Sequence, residues 1–336
     1  MLAQTDLIVI LLFPLIAAFT RIKKDSDINV FLSTQNSLII KGLMAIVVVL
    51  CHISFLYESN LLKPFEFISN IAVGTFFFLS GYGLMKQFSK RLDYRVGFLS
   101  GRSRKVLLPY MLVTIMYWLF YYINGEKLTI INVFDRIIHW DPIVSYSWYI
   151  IEILLLYMFF YLFMLISKGN KKRLLFLNVV LYLSFLALTV VCDLKPFVYH
   201  STHMYVIGMI YEYKEALINE HLKKLKWPLL TVSVFIVIVF YKNLNYVYIQ
   251  EIAYMIIILL FFSSFRVSNI FLSYTGTISM EMYLIHGLVI KIVRRFIYFD
   301  SPFIMVFITI IGIYISSISL LYLLKWLDSF LFKKQV

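Results

Sequence analysis

Runs of about twenty apolar residues recur from one end of the chain to the other, broken by short polar loops. This pattern admits few architectures. In hydrocarbon every backbone N–H and C=O needs an internal partner, so each run reads as a helix crossing a bilayer. The 336 residues are 62% hydrophobic and only 15% charged. Soluble domains hold about half apolar and about a quarter charged residues. The expected fold is an all-α polytopic membrane protein with about ten to eleven transmembrane helices in one bundle.

The loops sort by charge. Residues 86–105 hold Lys86, Lys90, Arg91, Arg95, Arg102, Arg104 and Lys105 against Asp93 alone, and smaller basic groups recur at Arg21 to Lys24, Lys168 to Arg173, and Lys214 to Lys226. Cytoplasmic loops of membrane proteins are enriched in lysine and arginine. The chain therefore reads as a multi-pass cell-membrane protein with an outside N-terminus and a cytoplasmic C-terminus marked by Lys325, Lys333 and Lys334. Residues 7–19 form an additional first helix, retained because the flanking charge is the reverse of a signal peptide's. Residues 1–36 are set apart from the main domain, 37–336. With no continuous basic face, the net charge of +13 points to anionic lipid and away from nucleic acid. Lys291, Arg294 and Arg295 break the rule by falling at an outer end. They snorkel there, or bind an anionic acceptor, or show that the count is off by a helix.

Lys41-Gly42-Leu43-Met44-Ala45-Ile46-Val47-Val48-Val49-Leu50-Cys51-His52 is an apolar helix with a cation at its entrance and an imidazole deep inside. Eleven steps of about 100° bring His52 within about 20° of the face of Lys41, roughly 16 Å along the axis. Ala45 and Val48 lie between them, small enough for a slender chain to pass. An ionisable group in a span marks a site or a pathway by default. The competing reading has Lys41 reaching lipid headgroups and His52 bonding a neighbouring helix. Cys51 reads as a packing residue.

Further candidates follow along the chain. Gly74, Ser80 and Gly81 permit close helix approach around Tyr82. Arg102 and Lys105 open the fourth span, where they can grip phosphate or simply stop transfer. The outer loop holds His139, and Trp148 and Glu152 open the fifth span. These residues can meet a sugar acceptor or lie in the interface. His200 and His203 stand at i, i+3 without an evident third ligand, and no metal is expected. Ser279, Tyr283 and His286 share one helical face, with Glu281 on another.

Four of these stretches together resemble one family. Lys41 and His52 look like its R/K-X10-H signature, and residues 73–82 (VGTFFFLSGY) resemble its aromatic "FFfLSGY" helix. Arg102-Ser103-Arg104-Lys105 before Leu107-Leu108-Pro109-Tyr110 resembles its RxxR and "LLPPY" pair. Ser279-Met280-Glu281-Met282-Tyr283-Leu284-Ile285-His286 resembles its late "iSYgiYLiH" helix. The family is acyltransferase family three, transmembrane enzymes that O-acylate envelope carbohydrates. Two departures stand out. Lys105 replaces an arginine, keeping charge but losing the bidentate fork, and Trp148-Tyr149-Ile150 stands where Trp-Phe-Leu is frequent.

The resemblance implies transfer of an acyl group, usually acetyl, from cytoplasmic acyl-CoA to a hydroxyl of a polysaccharide or lipid-linked sugar. Acyl-CoA is then a co-substrate, with no permanently bound cofactor. Lys41, Arg102 and Lys105 would hold the nucleotide phosphates, with the pantetheine arm beside Ala45 and Val48. Buried imidazoles disfavour the cation, so His52 is expected neutral and able to act as general base, with a covalent acyl-histidine intermediate as a second route. His286 or Tyr283 would steady the thioester oxygen or the acceptor. Tyr82, Trp148, Glu152 and His139 are candidate acceptor contacts. The alternative is a transporter or exporter of the polysaccharide or its precursor, since polar groups within spans also line pathways.

Overall fold

A computed structural model describes residues 4–25, 31–57, 59–91, 93–241 and 243–331; Lys333 and Lys334 lie outside the described residues. Every segment expected to span is helical. In order they are α1 (Asp6–Ala18), α2 (Thr34–Ser54), α3 (Lys63–Lys90), α4 (Phe98–Ile123), a short α5 (Ile130–Ile138), α6 (Trp148–Ser167) and α7 (Lys171–Val191). There follow α8 (His203–Tyr213), α9 (Glu215–Lys224), α10 (Lys226–Val239), α11 (Val247–Phe262), α12 (Ile270–Thr277), α13 (Ser279–Phe296) and α14 (Pro302–Leu331).

The expected ten to eleven spans are not all long enough to cross. Among the described residues six helices are, namely α2, α3, α4, α6, α7 and α14, and a seventh if α12 and α13 count as one broken span. The expected first, seventh, eighth and ninth spans are α1, α8, α10 and α11, with 13, 11, 14 and 16 residues. A straight crossing takes about 20. The expected tenth span is bent by 76° at Ile278, between α12 and α13.

Local chemistry explains several boundaries. Ser33 caps α2 by accepting from the Asn36 N–H at 3.1 Å, and Pro64 stands in the first turn of α3, where its missing N–H costs nothing. Within α4, residues Ser103–Leu107 form a π turn just before Pro109. Proline lacks an N–H and crowds the preceding turn, and the wider turn relieves this. A two-stranded antiparallel ribbon, β1 (Thr20–Lys24) with β2 (Phe265–Asn269), was not legible in the sequence; Thr20 pairs with Asn269 and Lys24 with Phe265. The buried Asn269 side chain closes one end of it, donating to Ile16 O at 2.9 Å and accepting from Leu272 N at 2.8 Å, which caps α12.

The centre of the bundle is α2 and α3, each packed closely against a short helix, α12 and α8 respectively. These contacts are backbone to backbone. A methyl group at Gly276 would overlap the Leu38 carbonyl, and one at Gly208 would overlap that of Phe78. Small residues that let helix backbones touch are the usual cement of membrane bundles. This packing seats Lys41 and His52 of α2 against the broken α12–α13 segment.

Candidate active site

The first cation of the α2 motif opens onto a cavity of about 680 Å³ at one end of the bundle. Lys41, Arg102, Arg104, Lys105 and Lys325 line it together with Glu281 and Asp328. A second lobe of about 440 Å³ shares Lys41, Arg102, Lys105 and Tyr157 and extends towards Gln87, Arg91 and Tyr94. Both volumes fall within the usual range of small-molecule sites, roughly 300–1,000 Å³. Arg102 stands just before the π turn of α4 and Lys105 within it. Arg102 is fixed on an aromatic bed, its guanidinium 4.7 Å from the Tyr157 ring and 5.4 Å from that of Phe98, with Nη2 donating to the Tyr94 hydroxyl at 3.0 Å. Lys41, Arg102 and Lys105 are close enough for their charges to act on one another. Such mutual repulsion favours an anion between them.

Phe76, Tyr149 and Tyr283 line the same cavity, whereas His52 and His286 do not. Beyond Tyr283 a line of rings continues. Tyr283 and His286 have centroids 5.9 Å apart, His286 and His52 stack at 5.0 Å and 21°, and His52 stacks on Tyr146 at 3.6 Å and 18°. His286 is completely buried, whereas His52 is half-buried. His286 Nδ1 lies 3.1 Å from Met282 O. A carbonyl only accepts, so Nδ1 carries the proton and Nε2 is a bare lone pair. That Nε2, and Nδ1 of His52, have no hydrogen-bond partner among the described residues. Two unpartnered imidazole nitrogens at the heart of a membrane protein are costly unless a substrate completes them.

Tyr146 holds the far side of the stack. Its backbone has φ of 66°, and its carbonyl accepts from the Tyr283 hydroxyl at 2.6 Å. Gly287 makes room for this loop: a methyl there would come within 2.5 Å of the Tyr117 hydroxyl and 3.0 Å of Ser145.

The structure thus brings together Lys41, Arg102 and Lys105 at the mouth, and His52, His286 and Tyr283 at depth. The proposed lane is displaced. Ala45 and Val48 are 3% and 2% exposed and do not line the cavity, because neighbouring helices cover that face of α2. Of α2 only Leu38 and Lys41 line the cavity, together with Phe76, Tyr149 and Tyr283. Glu152 is buried nearby and accepts from the Thr202 hydroxyl. Trp148, just before Tyr149, is half-buried against the core. Tyr82 lies outside both lobes and donates to Glu215 at 3.0 Å, and His139 is exposed beside Asp135 at the end of α5. His203 Nδ1 faces the His200 carbonyl at 3.0 Å, and its Nε2 stands 3.6 Å from Glu251.

Sequence reasoning missed Tyr146, Tyr149 and Tyr157. Tyr149 was signalled by its place beside Trp148, but no motif announced Tyr146, which sits in an irregular loop. Among the comparisons with known proteins, the family model described as an acyltransferase domain matches residues 38–325, which include every lining residue of both lobes except Asp328 and the whole line of rings. No curated protein and no solved structure is significantly similar. Over nearly its whole length, from the helix of Lys41 and His52 to the lysine at the cavity mouth, this chain belongs to acyltransferase family three, the membrane acyltransferases.

Proposed function

We propose that the protein is an O-acyltransferase that moves an acetyl or other short acyl group from cytoplasmic acyl-CoA to a hydroxyl of a cell-surface or exported polysaccharide, or of its lipid-linked precursor. One observation supports this most: a cation-lined cavity reaches Tyr283, whose ring stands 5.9 Å from His286 in a stacked pair of imidazoles with unpartnered nitrogens. Coenzyme A has a matching shape, a phosphate-rich nucleotide carried on a thin pantetheine arm that ends in the thioester. Lys41, Arg102 and Lys105 take the phosphates as charge-assisted partners. The arm runs past Phe76 and Tyr149 and brings the thioester to Tyr283 and the histidines.

His52 is the general base. It is the half-buried member of the pair and stands on the side away from the cavity, where an acceptor arrives. As the acceptor oxygen attacks the thioester carbonyl, His52 takes its proton. The tetrahedral intermediate collapses with cleavage of the C–S bond, and the imidazolium returns the proton to the departing thiolate. The products are the ester and CoA thiol, and the proton count is unchanged. His286, its tautomer fixed by Met282 O, offers Nε2 as an acceptor that orients the hydroxyl. Tyr283 holds the Tyr146 loop over the pair.

The test is incubation of the purified protein in detergent with acetyl-CoA labelled in the acetyl group. Transfer predicts release of free CoA, raised by adding envelope carbohydrate, with label appearing in the sugar. A transporter would leave the thioester intact, and that result overturns the reading.

A further inference from the structure

The mechanism leaves Lys291, Arg294 and Arg295 unused. They stand at the end of α13 opposite the donor cavity, which opens near Thr277 and Glu281. Among the described residues none of the three has a carboxylate within ion-pair distance. Their partners are neutral: Lys291 donates to the Tyr121 hydroxyl at 2.9 Å and lies 5.1 Å over its ring, and Arg295 donates to Asn124 Oδ1 at 3.2 Å.

The faces of α13 show which way these cations look. Gly287 faces Tyr117, Ser145 and Tyr146, the loop stacked on His52. Arg294 follows seven residues later, within about 20° of that face and roughly 10 Å further out. Its charge reaches the hydroxyls of both Tyr146 and Tyr57. The arc of α13 that faces outward is different. Leu288, Val289, Ile292 and Phe296 line an apolar surface groove with residues of α4 and α14. An arginine that only reached for lipid would share that arc. Arg294 instead shares the face of α13 that meets the Tyr146 loop.

We propose that Arg294, flanked by Lys291 and Arg295, is an oxyanion site on the acceptor side. The hydroxyl that is acylated then belongs to a carbohydrate bearing a phosphate or carboxylate near it. This rests on the acyl-transfer reading and specifies its acceptor. The guanidinium grips the oxyanion as a bidentate partner, and the sugar ring lies against Tyr146 with one hydroxyl towards His52. A neutral sugar makes no such contact.

The experiment uses the full chain in phosphatidylcholine nanodiscs and follows the thermal midpoint with added glucose, glucuronate or glucose 1-phosphate. Glucuronate, glucose 1-phosphate, or both are expected to stabilise the protein at concentrations where glucose does not, which also separates carboxylate from phosphate. R294Q should weaken that effect about tenfold or more, and R294K should restore part of it. The sugar-free midpoint of R294Q and its affinity for CoA should match those of the parent protein, which excludes misfolding. Equal effects of charged and neutral sugars, or an effect that survives R294Q, overturn the proposal. So does loss of the sugar effect in nanodiscs containing phosphatidylglycerol, which assigns the cations to lipid headgroups. Failure to bind CoA with the sugar discrimination intact would instead count against the acyl-transfer reading.

Discussion

Replacing Tyr283 by phenylalanine isolates what holds the loop over the histidines. Tyr146 is kept at φ 66°, and a left-handed backbone with a Cβ costs about 1–2 kcal/mol. Its stack on His52, with centroids 3.6 Å apart, returns about 0.5–1.5 kcal/mol. These two contributions nearly cancel. The bond from the Tyr283 hydroxyl to the Tyr146 carbonyl at 2.6 Å then supplies the margin, about 1 kcal/mol net. Without it the closed loop falls from about five-to-one to about one-to-one. Tyr283→Phe should therefore lower acyl transfer only about twofold while speeding amide exchange at Tyr146 and Ser147 several-fold. Exchange by mass spectrometry and transfer of labelled acetyl are the two assays. A loss of 100-fold or more with unchanged exchange would place the hydroxyl in the chemistry. Unchanged exchange and activity would mean that the bond holds nothing.

Lys41→Ala and Arg102→Ala should each raise KM for acyl-CoA about tenfold or more with little change in kcat, an effect that weakens at high salt. Initial-rate kinetics at two ionic strengths check this. Gly276→Val drives a side chain into the Leu38 carbonyl and should destabilise the bundle by at least about 1–3 kcal/mol. Gly83→Ala meets nothing within 4 Å and should leave the thermal midpoint unchanged or raise it. Ser201 donates to the buried Glu251 carboxyl group at 2.6 Å. Ser201→Ala should cost about 1–3 kcal/mol of stability without altering KM for acyl-CoA, read by thermal unfolding and kinetics on one sample.

The Lys41–His52 pair was legible because both residues lie on one helix, where spacing alone gives relative position. His286 and Tyr283 were legible for the same reason. The partnership between the two helices was not, because it depends on Gly276 letting α12 reach the backbone of α2 at Leu38. The lane was misplaced along Ala45 and Val48 because small size on one helix says nothing of what packs over it. The bend at Ile278 carries no proline to announce it. Tyr146 was invisible for another reason. Its position comes from a left-handed turn and a hydrogen bond from a residue 137 positions away, and neither leaves a periodic trace.

The account stands on His52 doing chemistry on a donor held by other residues. Its most direct test measures CoA affinity and single-turnover transfer from acetyl-CoA side by side for the parent protein and His52→Ala. The account predicts equal affinity, within about twofold, and transfer reduced by at least about 100-fold. Transfer that persists in His52→Ala at the parental rate would contradict it.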